Sequence, residues 1–171
     1  MKDNAQEIFP VMNEAGEVIG SATRGECHGG SMLIHPVVHL HVFDPHGRIY
    51  LQKRPEWKDI QPGKWDTAVG GHVDFGEDID TALLREAREE LGLQHFKPEF
   101  MHRYLFQSTR EREMVHAYKA IVNEIPTPTD ELDGGKFWTL SDITDNIGKG
   151  VFTPNFESEF SMLFLTDNTQ D

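Results

Sequence analysis

At 171 residues the chain is long enough for one domain with a real core, and its net charge of −13 argues against a dedicated nucleic-acid binder, whose footprint is a basic face. One cysteine, Cys27, permits no internal disulfide, so a reducing cytoplasm is the expected compartment. The opening MKDNAQEIFP has no apolar core of signal-peptide length, and no window approaches a membrane span.

Residues 7–23 hold two short apolar runs around Asn13-Glu14-Ala15-Gly16, a hairpin pattern. Residues 24–33 are Gly-rich and read as irregular. Residues 37–43 alternate apolar and polar, so a strand is expected, and Asp44-Pro45-His46-Gly47 turns it into a second strand over 48–53. Pro55, Pro62 and Gly63 mark a loop that ends in a short strand over 65–69. Further on, 99–108 and 112–122 read as strands around Thr109-Arg110-Glu111. A loop follows at Pro126, Pro128 and Asp130, then a last strand in GGKFWTL and a capped short helix in SDITDNI. The apolar run 156–165 suits a packed C-terminal helix, about 155–165. The expectation is a single domain over 1–171 of mixed α/β (α+β) class.

Between these halves lies the most informative stretch, GHVDFGEDIDTALLREAREELGL at 71–93. Its middle is rich in Ala, Leu, Glu and Arg, all strong helix formers, so a helix is expected over about 81–91. Asp78 and Asp80 offer N-cap carboxylates, and Gly92 is a natural stop. Ala82, Leu83, Ala87 and Leu91 make an apolar stripe, while Glu86, Glu89 and Glu90 stand at i, i+3 and i+4 on one face. Like charges so close resist joint ionisation. Either the face is solvated, with Arg85 and Arg88 diluting its charge, or a hard cation such as Mg²⁺ or Mn²⁺ cancels the repulsion. The Ala-Val-Gly-Gly approach favours the second, because glycine lets backbone come close to a ligand.

The pattern Gly71, Glu77 and Arg85-Glu86-Ala87-Arg88-Glu89-Glu90-Leu91-Gly92-Leu93 resembles the Nudix box, with every defining position filled. The resemblance implies a mixed β-sheet sandwiched between α-helices and a magnesium- or manganese-dependent hydrolase acting on the phosphoric anhydride bond of a small diphosphate. It also implies that Glu86, Glu89, Glu90 and the Gly71 carbonyl ligate metal, and that Arg85 pairs with an acid such as Glu77. A carboxylate must orient or deprotonate water, with Glu89 the candidate on the helix and Glu111 or Glu113 the candidates outside it. Homodimers occur in the family, so a homodimer is a candidate assembly.

Residues 28–90 also resemble type I isopentenyl-diphosphate isomerase, a relative of the same fold. His28, His35, His72, Glu111 and Glu113 match its metal set, Arg54 and Lys58 its diphosphate-binding basic residues, and Trp65 its tryptophan. Gly70 occupies the position of its catalytic cysteine, and without a thiol the two-sided proton transfer loses one group. Hydrolysis is therefore the expected reaction, with isomerase-like chemistry and a non-catalytic nucleotide-binding role as alternatives.

Two features stay open. Lys53, Arg54, Lys58 and Lys64 form the basic concentration before the box, either solvated charges or receivers of distal phosphates, Arg54 best suited because a guanidinium holds two oxygens at once. His39 and His41 share one strand face and either join a site or sit in the core.

Overall fold

The computed structural model describes residues 4–57, 61–128 and 134–165. The N-terminal hairpin is β1 (Ile8–Met12) against β2 (Val18–Thr23), with Gly16 at φ 84° in its turn, a left-handed conformation that suits glycine. Residues 24–33, expected to be irregular, instead begin with a short helix, α1 (Arg24–His28). The reason is a capping box. The Thr23 hydroxyl accepts from the Glu26 amide at 3.1 Å, and the Glu26 carboxylate accepts from the Thr23 amide at 2.9 Å.

Strand β3 (Ile34–Phe43) is the spine of the sheet. Along one edge it pairs in parallel with β8 (Arg112–Ile121) from Ile34↔Arg112 to Phe43↔Ile121. Its other edge meets β1 at Ile34, β6 (Val69–His72) over Val37–Leu40, and β4 (Ile49–Lys53) at Val42 and Phe43. The short strand expected over 65–69 is divided at Ala68 into β5 (Trp65–Thr67), paired with β4, and β6, paired with β3. β7 (Glu99–Gln107) pairs with β8, and β9 (Gly135–Trp138) with β4.

Helix α2 (Ile79–Leu91) covers one face of this mixed sheet. Its stripe of Ala82, Leu83, Ala87 and Leu91 is fully buried against Val38, Leu40 and Val42 of β3. Asp78 caps it through the Thr81 amide at 2.8 Å, and Gly92 ends it at φ 68°. On the other face, α3 (Leu140–Asn146) and α4 (Pro154–Phe160) pack Ile143, Phe156 and Phe160 on Ile49, Leu51 and Trp138. The C-terminal helix expected over about 155–165 is α4 followed by a π-turn at Ser161–Leu165. The architecture is a mixed sheet between helices. No helix among the described residues is long and apolar enough to cross a membrane.

Candidate active site

Strand β6 and helix α2 build the acidic half of the site. Strand alternation turns Gly71 toward the helix and His72 toward the opposite face. A Cβ at position 71 would overlap the Glu86 carboxylate, so glycine is required for this carboxylate to lie against the backbone of β6. Glu86 hydrogen-bonds Glu90, and both resist ionisation: burial raises Glu86, while burial and the Glu86 charge raise Glu90 well above the usual carboxylate range. Glu89 does not join this pair. It is half exposed, with a carboxylate oxygen 3.4 Å from Arg85 Nη1. Arg85 locks the turn into the helix, donating to both Glu77 oxygens at 2.8 and 2.9 Å and to the His72 carbonyl at 3.1 Å. Gly76, at φ 89°, allows the tight turn in which the Asp74 amide donates to Glu77 at 3.0 Å.

The other half is a cluster of imidazoles. α1 delivers His28, β3 His35, β6 His72 and β8 Glu113, with one potential ligand atom from each within 4.8 Å of the others. His28 Nε2 lies 3.2 Å from His72 Nε2 and 3.3 Å from Glu111. Phe9 forms a wall, stacked on His72 at a ring separation of 4.6 Å and on His35 at 5.7 Å. His35 is fully buried, and its Nδ1–H donates to the Leu33 carbonyl at 3.3 Å, which leaves a lone pair on Nε2. That lone pair faces Glu111 at 3.6 Å and Glu113 at 3.8 Å, and neither His35 Nε2 nor Glu111 Oε1 has a hydrogen-bond partner. Acceptors facing acceptors in a buried space call for a cation. Burial drives His35 down to about 4 and His72 well below the usual range, so both rings are neutral, the form that ligates metal. Burial, reinforced by Glu111, raises Glu113 to about 7.

Both donor sets fit a divalent ion on these grounds, oxygen ligands on α2 and a nitrogen–oxygen set at the cluster. Of the basic residues, Arg54 Nη1 stands 3.7 Å from Asp66 on β5, and its backbone pairs with that of Lys64. Lys53 ends β4, and Lys58 lies outside the described residues. His39 and His41 join neither metal set; both bond Glu159 of α4, at 2.8 and 2.5 Å. Sequence reasoning missed Glu159, Asp66, Phe9 and Arg24. Arg24 Nη2 lies 3.5 Å from His72 Nδ1. The second of two acids, Glu157 and Glu159, inside the apolar run FESEFSMLFL was the available signal for Glu159.

The sequence pattern of the NUDIX domain family matches residues 33–156. The chain is 31% identical, over 166 residues covering 95% of it and 91% of the relative, to an uncharacterized Nudix hydrolase of Streptomyces coelicolor. It is 32% identical over 136 residues to the isopentenyl-diphosphate Delta-isomerase of Leifsonia xyli, with 74% of each chain covered. The crystal structure of DR0079 from Deinococcus radiodurans matches with a TM-score of 0.78, over 92% of this chain and 99% of that one, at 23% identity, a likeness of fold.

Proposed function

The chain belongs to the Nudix family, and we propose that it is a metal-dependent pyrophosphohydrolase that cleaves the phosphoric anhydride bond of a small diphosphate, such as a nucleoside di- or triphosphate. The observation that carries this reading is the Glu86–Glu90 pair seated against Gly71, with Arg85 tied to Glu77 beside it. Two carboxylates that share a proton in a partly buried site are what a hard cation would displace that proton from. Mg²⁺ or Mn²⁺ held by Glu86, Glu90 and the Gly71 carbonyl, with Glu89 within reach on the next turn, would neutralise charge on the phosphorus oxygens.

The chain's own groups do the rest. Arg85 fixes the box turn and so the angle at which α2 presents its carboxylates. Glu89, outside the Glu86–Glu90 pair, takes a proton from the attacking water. The water oxygen bonds to phosphorus, and the bridging oxygen departs with its electron pair on the second phosphate. Arg54, on the chain entering the box, receives the distal phosphate, with Lys53, Lys58 and Lys64 supplying further positive charge. The His28, His35, His72, Glu111 and Glu113 cluster would hold a second divalent ion, its unpartnered His35 Nε2 and Glu111 Oε1 supporting that assignment.

That cluster also favours a second reading, isomerisation of isopentenyl diphosphate, for which relatives carry the name. Against it, Gly70 has no side chain to carry a proton. Phosphorus NMR with Mg²⁺ on nucleoside di- and triphosphates, a nucleotide sugar and isopentenyl diphosphate separates the two. New phosphate signals that disappear with chelator support hydrolysis. Unchanged phosphorus spectra together with solvent-deuterium uptake into isopentenyl diphosphate would replace it with isomerisation.

A further inference from the structure

Outside both metal sets the described residues hold one more dense polar cluster, on the same face of β3 and buried beneath α4. Glu159, 1% exposed, accepts from three side chains that arrive from three strand positions: His39 Nδ1 at 2.8 Å, His41 Nε2 at 2.5 Å and the Tyr104 hydroxyl at 2.5 Å. A carboxylate taken this far from water costs more than its bonds return unless every lone pair is used. Here the cost buys orientation. His41 faces inward, its edge on the Phe164 ring and its Nδ1 unpartnered. His39 does not: its side chain is 20% exposed, and no described group hydrogen-bonds its Nε2.

The opening over His39 is made by a missing side chain. Gly70 is its neighbour across the β3–β6 pairing and is itself exposed. A Cβ at 70 would stand 3.6 Å from His39 Cδ2 and 3.9 Å from Nε2, in ordinary contact, so any larger side chain would roof the ring edge. His39 also lies between the two halves of the site: Gly70, paired opposite it, donates its amide to Glu90, while the charge of Glu113 acts on the ring. Burial opposes its protonation, but Glu159, Glu113 and Asp66 outweigh it and raise His39 to about 9.

We propose that His39, aimed by Glu159 and left uncovered by Gly70, is a substrate-contacting donor whose Nε2–H binds a phosphate oxygen of the diphosphate between the acidic and imidazole halves of the site. Glu159 is its positioning residue, with Tyr104 donating to the same oxygen and His41 to the other. With Glu90, Glu113 and Asp66 nearby, this imidazole is a positive donor at a place where those acids alone would repel an anion. The assignment rests on the diphosphate reading of the site but makes no use of the hydrolytic step.

The probe is methylenediphosphonate, a diphosphate mimic that cannot be hydrolysed, added with Mg²⁺ to the full chain labelled with nitrogen-15 histidine. His39 signals are identified by their loss in His39→Asn, which keeps a donor for Glu159 and removes the outward one. The expected results are a shift of the His39 Nε2 signal on binding and a Kd raised about tenfold or more in His39→Asn, the scale of one hydrogen bond to a charged group. Gly70→Val, which leaves the His39–Glu159 bond in place, should weaken binding to a similar degree, and Glu159→Gln should weaken binding and abolish the low-field Nδ1–H signal. A Kd within twofold of the parent in both His39→Asn and Gly70→Val, with the His39 signals unmoved by the probe, overturns the proposal. If His39 responds while no diphosphate is ever cleaved, the hydrolase reading falls and this site stands. If Glu90→Gln abolishes cleavage while the probe ignores His39, the outcome is the reverse.

Discussion

Strand β6 hands adjacent residues to two ligand sets on its opposite sides, and burial acts on them in opposite directions. Toward α2, Gly71 makes room for Glu86, and burial pushes the Glu86–Glu90 pair to hold a proton. Away from α2, His72 enters a nest of imidazoles, and burial strips His72 and His35 of protons. Desolvation disfavours the charged form in both cases, but the charged form is the ligand for a carboxylate and the neutral form is the ligand for an imidazole. The acidic pair would have to surrender a proton to bind a cation, and so would Glu113, whereas His35 and His72 already offer neutral nitrogens. The first suits a hard ion supplied in excess, and the second a scarcer transition ion.

Four perturbations sharpen or break this contrast, in falling order of expected effect. Glu90→Gln replaces a protonated acid with its near-isostere, so the fold should keep its thermal midpoint while Mg²⁺-dependent turnover drops on the order of a thousandfold. Gly71→Ala drives a methyl into the space of the Glu86 carboxylate, and steady-state kinetics should show a loss of about a hundredfold with little change in KM. His35→Asn should weaken Zn²⁺ or Mn²⁺ binding at the imidazole half by about 10- to 100-fold in calorimetry, with a smaller loss of turnover than Glu90→Gln causes. An equal loss of turnover in the two would erase the distinction between the halves.

The smallest effect is on stability. His39 is raised from 6.5 to about 9 by Glu159, against burial, so its stabilising charge is fully present below pH 6.5 and is lost as pH rises through 9. The urea midpoint should fall across that window, and His39→Asn should flatten that part of the profile. A fall of equal size in the variant would show that another group is responsible.

What the sequence reveals follows the distance over which each feature is encoded. Helix α2, its caps and its buried stripe were legible because each depends on neighbours a turn or two away, whereas the Arg85–Glu77 pair came from the resemblance. His28, His35, His72, Glu111 and Glu113 were legible through resemblance alone, since composition cannot say that α1, β3, β6 and β8 converge. Helix α1 was encoded locally by Thr23 and Glu26, yet the surrounding glycines masked it. The Glu159 network was out of reach: His39 and Glu159 lie 120 positions apart, and an acid in an aromatic run gives no address for its partners. The three glutamates of the box do not act alike either. One turn of helix separates a carboxylate pressed on Gly71 from one turned toward Arg85 and solvent.

The central claim is that water attacks phosphorus in a step that depends on the α2 carboxylates. Its most direct test is hydrolysis in oxygen-18-enriched water, followed by phosphorus NMR, for the parent chain and Glu90→Gln side by side. The account predicts heavy oxygen on a phosphate product in the parent with Mg²⁺, and none with chelator or in the variant. Undiminished turnover in Glu90→Gln, or products whose phosphorus carries no heavy oxygen, would contradict it.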